Sequence, residues 1–497
     1  MNFAMLLDMA AEAFGPRVAV SCAGRQLNYL QLRAAALVAA RRARAFAHLA
    51  LIDGNGLAGP VALFAAAHAG VPFVPLNYRL TATELSELLQ RIAPAWLVGP
   101  RQYLEPLALP TLIECADYEA LAQAALPAAA AEELAADPEA IAVQLFTSGT
   151  TGKPKAAVLR HGHLMSYILA TVEFGHAAAE EAALIAVPPY HIAGISAVLS
   201  CTYAGRRLVM LPSFAPAEWV RLALAERVTQ AFVVPTMLVR IMDYLAEHGA
   251  AREFPALRAI AYGGGKMPPA VIERALQVFP GVDFTNAYGL TETSATVCLL
   301  TPEDHRAALA SSDPAVRRRL ASVGRPLPGV ELEVRAADGR VLAAREPGLL
   351  FVRGAQVSGE YRESGSLLDE AGWFATQDCG WLDAAGYVFL EGRADDVIVR
   401  GGENISPGEI EAALLAHVAV ADAVVVAIAS EQWGEAVAAA VVLRAGAEAS
   451  SETLQQWVRG RLRSSRVPER IVFRQELPYN EMGKVLRRIV RGELEHG

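Results

Sequence analysis

Leu145-Phe146-Thr147-Ser148-Gly149-Thr150-Thr151-Gly152-Lys153-Pro154-Lys155-Ala156 decides the reading of this chain. Four small hydroxylated residues and two glycines precede Lys-Pro-Lys, and a mostly apolar run from Ala140 to Phe146 leads in as a buried strand. Glycines let a backbone turn tightly and bring its amides close to an anion, hydroxyls add donors, and lysines add positive charge. The composition is therefore that of a phosphate-binding loop. It is not the nucleoside-triphosphatase loop, which needs Gly, four residues, then Gly-Lys-Ser/Thr. Here only Thr150 and Thr151 separate Gly149 from Gly152, and Pro154 follows Lys153.

Outward from this loop, the bulk composition narrows the class. A chain of 497 residues exceeds what one core usually organises, so two or more domains are expected. With 53% hydrophobic and 20% charged residues it reads as a packed globular enzyme. A net charge of -9 argues against nucleic acid or an acidic membrane surface as partner. Five scattered cysteines, Cys22, Cys115, Cys201, Cys298 and Cys379, show no metal-ligand spacing and read as free thiols in a reducing compartment. Met1 to Ala10 holds Asp8 and no basic flank before a long apolar run, so no signal peptide is expected. The most apolar region, Ala182 to Gly205, is interrupted by Pro188, Pro189 and His191, so no transmembrane segment is expected either. The location expected from these features is cytoplasmic.

Before the loop, helix signals over Leu27 to Arg44 and Val61 to Gly70 alternate with an apolar strand at Val71 to Leu76, the pattern of a doubly wound α/β sheet. An Ala-, Pro- and Glu-rich stretch from Ala124 to Ala140 reads as linker. After the loop, Pro188-Pro189-Tyr190-His191-Ile192-Ala193-Gly194-Ile195 breaks an apolar run with an aromatic and a histidine. Val233-Val234-Pro235-Thr236 closes a strand and opens a helix bearing Arg240. A further strand from Arg258 runs into Gly263-Gly264-Gly265. Residues without side chains at a strand's carboxyl end let a flat ligand lie against the backbone. Lys266 follows, reading as solvated at the start of a helix opened by Pro268 and Pro269. Asn286-Ala287-Tyr288-Gly289-Leu290-Thr291-Glu292-Thr293 combines an aromatic face with a carboxylate among hydroxyls, which suits a hard cation such as Mg²⁺. Trp373 to Asp378 precedes a hairpin whose turn is Asp383-Ala384-Ala385-Gly386. In Ser406-Pro407-Gly408-Glu409, serine as N-cap, proline at N1 and glutamate at N3 read as a capping box. Strands at Ala423 to Ile428 and Ala436 to Leu443, then a helix around Thr453 to Leu462, complete a small α+β domain.

Thr-Ser-Gly-Thr-Thr-Gly-Lys-Pro-Lys, the Tyr190-His191 pair, Tyr288-Gly289-Leu290-Thr291-Glu292, Gly392-Arg393-Ala394-Asp395-Asp396 and Pro478 to Arg487 occur in the order seen in the adenylate-forming superfamily, which the chain resembles over nearly its whole length. Acyl-CoA synthetases, adenylation domains of nonribosomal peptide synthetases and firefly-type luciferases belong to it. The resemblance implies a large doubly wound, multi-sheet N-terminal domain over residues 1–394 and a small mobile α+β domain over 395–497, with Asp395 as hinge. It implies ATP, Mg²⁺ and coenzyme A as cofactors. Thr147, Ser148, Gly149, Thr150, Thr151 and Lys155 would surround the ATP phosphates, with Glu292 holding Mg²⁺. Gly263, Gly264 and Gly265, with Asn286, Ala287, Tyr288, Gly289 and Thr291, would frame AMP, and Asp378 and Arg393 would fix the ribose. Gln377 stands where the family has glycine. Lys484 matches the catalytic lysine, and Gly401 and Gly402 would line the pantetheine tunnel.

For the acid, the resemblance makes His191 a gate and puts Ile192, Ala193, Ile195 and Arg240 at the acyl pocket. Amino-acid-activating members carry an aspartate just after the aromatic motif; this chain has none there, so an apolar or aromatic acid is expected. Two alternatives stay open: a freestanding enzyme loading a phosphopantetheinyl carrier protein, and a malonyl-CoA-synthetase-like dicarboxylate ligase using Arg240.

Overall fold

The computed structural model describes residues 1–109, 111–117, 137–147, 154–248, 254–400, 403–479 and 485–496. Ser148, Gly149, Thr150, Thr151, Gly401, Gly402, Lys484 and most of the Ala124 to Ala140 stretch lie outside them. Among the described residues four sheets form a large N-terminal domain and a smaller C-terminal one.

The sheet that positions the site has nine strands. Ala182–Ile185, Gln230–Val233, Ala259–Gly263 and Asp283–Leu290 lie side by side and parallel at its centre. Ala182–Ile185 is buried throughout, while along the other three buried residues alternate with half-buried ones. A second sheet of eight strands includes Phe73–Leu76, Ile141–Thr147 and Lys155–Arg160. Between the two sheets, helices Ala4–Phe14, Tyr29–Ala43, Ala58–Ala69 and Ile192–Ala204 share one core. There Leu49, Leu51 and Phe73 of one sheet meet the same helical layer as Val20, Ile185 and Leu208 of the other. Asn28 caps Tyr29–Ala43 in a capping box with Gln31, and the opposite face of the nine-stranded sheet is covered by Pro216–Ala225, Pro235–Glu247 and Pro269–Val278.

A four-stranded antiparallel sheet follows. In it Phe374–Leu382 and Val388–Arg393 form the expected hairpin, closed by Gly386 N–H donating to the Asp383 carbonyl at 3.0 Å. From Ile398 onward the chain builds its own sheet around Val420–Ser430 and Gly434–Leu443, with Pro407–Leu415 and Ser451–Arg459 packed on one side and Arg487–His496 on the other.

The expected capping box at Ser406 does not form. Ser406 Oγ donates 2.8 Å to the carbonyl of Glu391 in the large domain, and Glu409 pairs with Arg466 at 2.5 Å. Lys266 is not simply solvated either: its Nζ donates 3.1 Å to the Gly408 carbonyl across the domain boundary.

Candidate active site

One cavity of about 1600 Å³ opens between the two domains and runs into the large one. Its phosphate end begins at Thr147 and Lys155. These residues end one strand and begin the next, paired in register, with Thr147 Oγ1 3.5 Å from the Lys155 carbonyl. Thr147, Pro154 and Lys155, which flank residues 148–153 in the chain, all line the cavity. Lys155 Nζ lies 5.6 Å from the centre of the Tyr361 ring, and the Tyr361 hydroxyl donates to Glu292. Burial and the neighbouring carboxylate together push the Tyr361 phenol well above its usual value, so it stays a donor.

Glu292 sits in the single 3₁₀ turn Thr291–Thr293, and its carbonyl accepts from Ser358 N–H at 2.8 Å and Gly359 N–H at 3.0 Å. Thr293 Oγ1, fully buried, receives the Leu290 N–H at 2.9 Å and donates to the Leu290 and Ala295 carbonyls. A carboxylate on so fixed a turn is a preorganised ligand. No group of three or more acidic, histidine or cysteine side chains gathers here among the described residues, so a cation at Glu292 would take most of its ligands from elsewhere. That fits Mg²⁺, which keeps waters and phosphate oxygens and asks the protein for one or two carboxylates.

The strand Asp283–Leu290 alternates. Ala287, Gly289, Leu290, Thr291 and Glu292 line the cavity, while Asn286 and Tyr288 turn the other way. Asn286 Nδ2 donates to the Ser322 carbonyl at 3.1 Å. Tyr288 is 8% exposed, so the ring face expected for a base is largely covered, and its hydroxyl donates 2.6 Å to Asp378 Oδ2. Arg393 Nη1 reaches the other carboxylate oxygen at 3.1 Å. Asp378 is thereby held from both sides, itself buried, while Thr376, Gln377 and Arg393 face the cavity. Of the three glycines, Gly264 lines the cavity with φ 76°, a conformation other residues adopt only under strain.

At the acid end, His191 is the N-cap residue of Ile192–Ala204, next to Tyr190 with ring centres 4.8 Å apart. Among the described residues its buried Nε2 and the Tyr190 hydroxyl have no hydrogen-bond partner, and burial lowers the imidazole pKa to about 4. An unpartnered neutral imidazole aimed into a cavity is poised for a ligand. Ile192 and Ala193 line the same space. Ile195 and Arg240 do not. Ile195, further round the helix, packs into the inter-sheet core, and Arg240 is exposed with its guanidinium 5.2 Å from the centre of the Phe214 ring.

Sequence reasoning missed the inner walls: Tyr167, Ala197, Ser200, Arg206, Gln230 and Phe232. Helical periodicity from Ala193 would have found Ala197 and Ser200, but nothing local marks Arg206 or Gln230. It also missed Tyr361. The small domain supplies Tyr479 and Val485, bridged to each other and flanking residues 480–484, together with Arg487 and Arg488. Asp395, exposed in the 3₁₀ turn Ala394–Asp396, lies at the cavity edge.

With this geometry in hand, the comparisons with known proteins are specific. The AMP-binding enzyme family model matches residues 7–362, and the AMP-binding enzyme C-terminal domain model matches residues 409–484. The fatty acid–[acyl-carrier-protein] ligase ScoC of Streptomyces coeruleorubidus is 34% identical, over 95% of this chain and 92% of its own. A 2-succinylbenzoate–CoA ligase of Bacillus mycoides is 32% identical, over 90% and 88%. Among solved structures, o-succinylbenzoate CoA synthetase from Bacillus subtilis, in complex with its acyl-adenylate intermediate, superposes with a TM-score of 0.82 at 28% identity, covering 99% of this chain and 98% of that one.

Proposed function

We propose, from the premise that this chain belongs to the AMP-binding enzyme family of the adenylate-forming superfamily and is an AMP-forming acid–thiol ligase, that it activates an apolar or aromatic carboxylic acid with ATP and passes the acyl group to coenzyme A. The observation that carries this reading is the continuity of one cavity from Thr147, Lys155 and Glu292 to the arm walled by Ile192, Ala193 and Phe232. A nucleotide and an acid could meet there with water largely excluded.

In the first half-reaction a carboxylate oxygen of the acid attacks the α-phosphorus of ATP. The new C(O)O–P bond forms as the bond to pyrophosphate breaks, and charge builds on the phosphate oxygens. Positioning and fixed cationic stabilisation dominate such steps. Thr147 and Lys155, with Ser148, Gly149, Thr150 and Thr151 of the same motif, receive the β and γ phosphates. The Glu292 carboxylate would hold Mg²⁺, which would supply charge neutralisation at the phosphates. Gly264, with Ala287, Gly289 and Thr291, frames the base, Asp378 and Arg393 fix the ribose, and Lys484 serves the α-phosphate and the carboxylate. His191, neutral, walls the carboxylate.

In the second half-reaction the thiol attacks the acyl carbon and expels AMP. Residues 395–497 turn about Asp395 between the steps, bringing Gly401 and Gly402 to the pantetheine arm in place of Lys484. Five unpaired cysteines fit a reducing compartment such as the cytoplasm.

Incubation with ATP, Mg²⁺, candidate acids and CoA, reading AMP and thioester, tests the proposal; AMP without thioester refutes the acceptor. The kinship with a carrier-protein ligase supports a second acceptor, a phosphopantetheinylated carrier, to be run in parallel. Arg240, which does not line the cavity, gives the dicarboxylate alternative no binding residue, so a dicarboxylic acid is run among the candidate acids.

A further inference from the structure

Granted the ligase reading, on which this inference rests, the inner end of the acyl arm bears on which acid fits. The arm runs along Ile192–Ala204, from His191 at its mouth to Ser200. Nine residues at helical rise make it roughly 13 Å deep. Strand register gives the depth independently. Phe232 pairs with Ile185 near the mouth, whereas Gln230 pairs with Ala183 two residues further in, roughly 7 Å closer to the sheet's N-terminal edge. Arg206 stands at that same inner level, just before the strand whose Arg207 pairs with Ala182.

The walls change character along this length. Ile185, Phe232, Ala193 and Ala197 are apolar, but Ser200 and Gln230 at the inner end each present a polar side chain that makes no hydrogen bond to a described residue. A wholly apolar acid long enough to cover them would strip their water and return nothing, whereas an oxygen placed there would satisfy them. Charge decides which oxygen. Arg206 Nε and Nη2 both donate to Glu181 Oε2 at 3.1 Å, and Nη2 lies 3.0 Å from His176 Nε2. The buried guanidinium is already neutralised, so a distal carboxylate would bring a second negative charge beside Glu181.

We infer that this enzyme's acid has an apolar body ending in a neutral hydrogen-bonding oxygen, a hydroxyl or carbonyl, received by Gln230 and Ser200. The test is pyrophosphate exchange with matched trios of acids at graded length: the plain alkanoic acid, its ω-hydroxy derivative and its ω-carboxy derivative. At the length that reaches Gln230, the ω-hydroxy acid should exceed the plain acid by at least about tenfold in kcat/KM, chiefly through KM, and the ω-carboxy acid should come last. In Gln230→Leu the ratio of hydroxy to plain acid should fall to about one or below, and in Ser200→Ala part of the way. Each ratio is taken within one preparation, so partial misfolding cancels. A wild-type preference for the plain acid at every length, a best rate with the ω-carboxy acid, or a ratio unmoved by Gln230→Leu overturns the inference while the ligase reading stands. Silence with every trio while an aromatic acid exchanges overturns the inference alone, and silence with aromatic acids as well overturns both.

Discussion

Gly408→Ala should separate the two half-reactions. Gly408 is the second residue of Pro407–Leu415, where the small domain meets the large one. A Cβ added there lies 2.5 Å from the Glu391 carbonyl oxygen and 2.9 Å from Lys266 Nζ. Lys266 can swing aside. The Glu391 carbonyl is harder to move: Glu391 is bulged out of the ladder, but Leu390 and Gly392 on either side pair with Phe374–Leu382, and the same oxygen accepts from Ser406. An ordinary C···O contact is about 3.3 Å or more, so roughly 0.8 Å must be recovered by shifting packed backbone, at a cost on the order of 1–3 kcal/mol. Within the helix itself alanine is better than glycine by roughly 0.5–1 kcal/mol, so the small domain should be no less stable. The penalty therefore falls on this domain arrangement alone, disfavouring it by up to about 5- to 150-fold. Since Tyr479 and Val485, which flank Lys484 in the chain, line the cavity here, this arrangement is the one that forms the adenylate in our proposal. Pyrophosphate exchange should fall by up to that factor, while thioester formation from supplied acyl-adenylate is kept or rises, and thermal unfolding of the small domain is unchanged or later. Equal loss of both half-reactions in a folded protein, or no loss in either, would refute the reasoning.

Lys484→Ala should slow adenylate formation by roughly 100- to 1,000-fold, the scale for one preorganised charge-stabilising donor, and spare the thioester step; equal loss of both would remove its assigned role. With His191 held near pKa 4 by burial, it is neutral from about pH 5.5 upward, so the kcat/KM profile of His191→Phe should run parallel to wild type from there to pH 9; a limb near neutrality that the substitution abolishes would contradict this. Burial raises Asp53 from 3.8 to about 6, so its protonated form favours the fold fully below about pH 3.8 and that stability is lost as pH rises through 6. Asp53→Asn should accordingly raise Tm at pH 7.5, by at most about 3 kcal/mol of stability and less for its partial exposure, with the gain vanishing towards pH 4; a gain independent of pH would point to another cause. Gln377→Gly should leave stability within about 1 kcal/mol, relief of left-handed strain being offset by unfolded-chain entropy, whereas Gln377→Val should raise the KM for ATP and not for the acid; an unchanged ATP KM would detach this loop from Asp378.

Much of the fold was legible because its signals are local. Proline at the first turn of Pro235–Glu247 and Pro269–Val278, the Asp383 to Gly386 turn and the apolar run into Thr147 each need only their own neighbours. The misreadings all involve a distant partner or a helical phase. Ser406 and Glu409 have the sequence of a capping box, but a carbonyl fifteen residues back and an arginine fifty-seven residues on are better placed for them. Lys266 looks solvated until Gly408, 142 residues later, offers its carbonyl. Ile195 shares a motif with Ile192 and Ala193, yet a helix turns about 100° per residue, and the motif's last residue faces the core. Gln230 and Arg206 shape the acyl arm only because strand register sets them at one depth, which no single stretch encodes.

Gln377 shows how far a site can outlast the residue that seems to specify it. A glycine at this position in the family would be read as a need for positive φ; glutamine would be read as its loss. The backbone keeps the conformation regardless, with φ 63° at Gln377, an exposed residue at the cavity's rim. What holds it lies on either side. Thr376 Oγ1 donates to the Leu350 carbonyl at 2.9 Å and accepts the Asp378 N–H at 3.1 Å, and Asp378 is gripped by Tyr288 and Arg393. With both neighbours fixed by partners on other strands, the intervening residue has no extended alternative that keeps those bonds. A left-handed residue costs roughly 1–2 kcal/mol, while releasing it would forfeit several hydrogen bonds, two of them to a buried carboxylate. The strain is therefore tolerated at the position proposed to read the ribose, where the network around Asp378 outweighs the preference of a single residue.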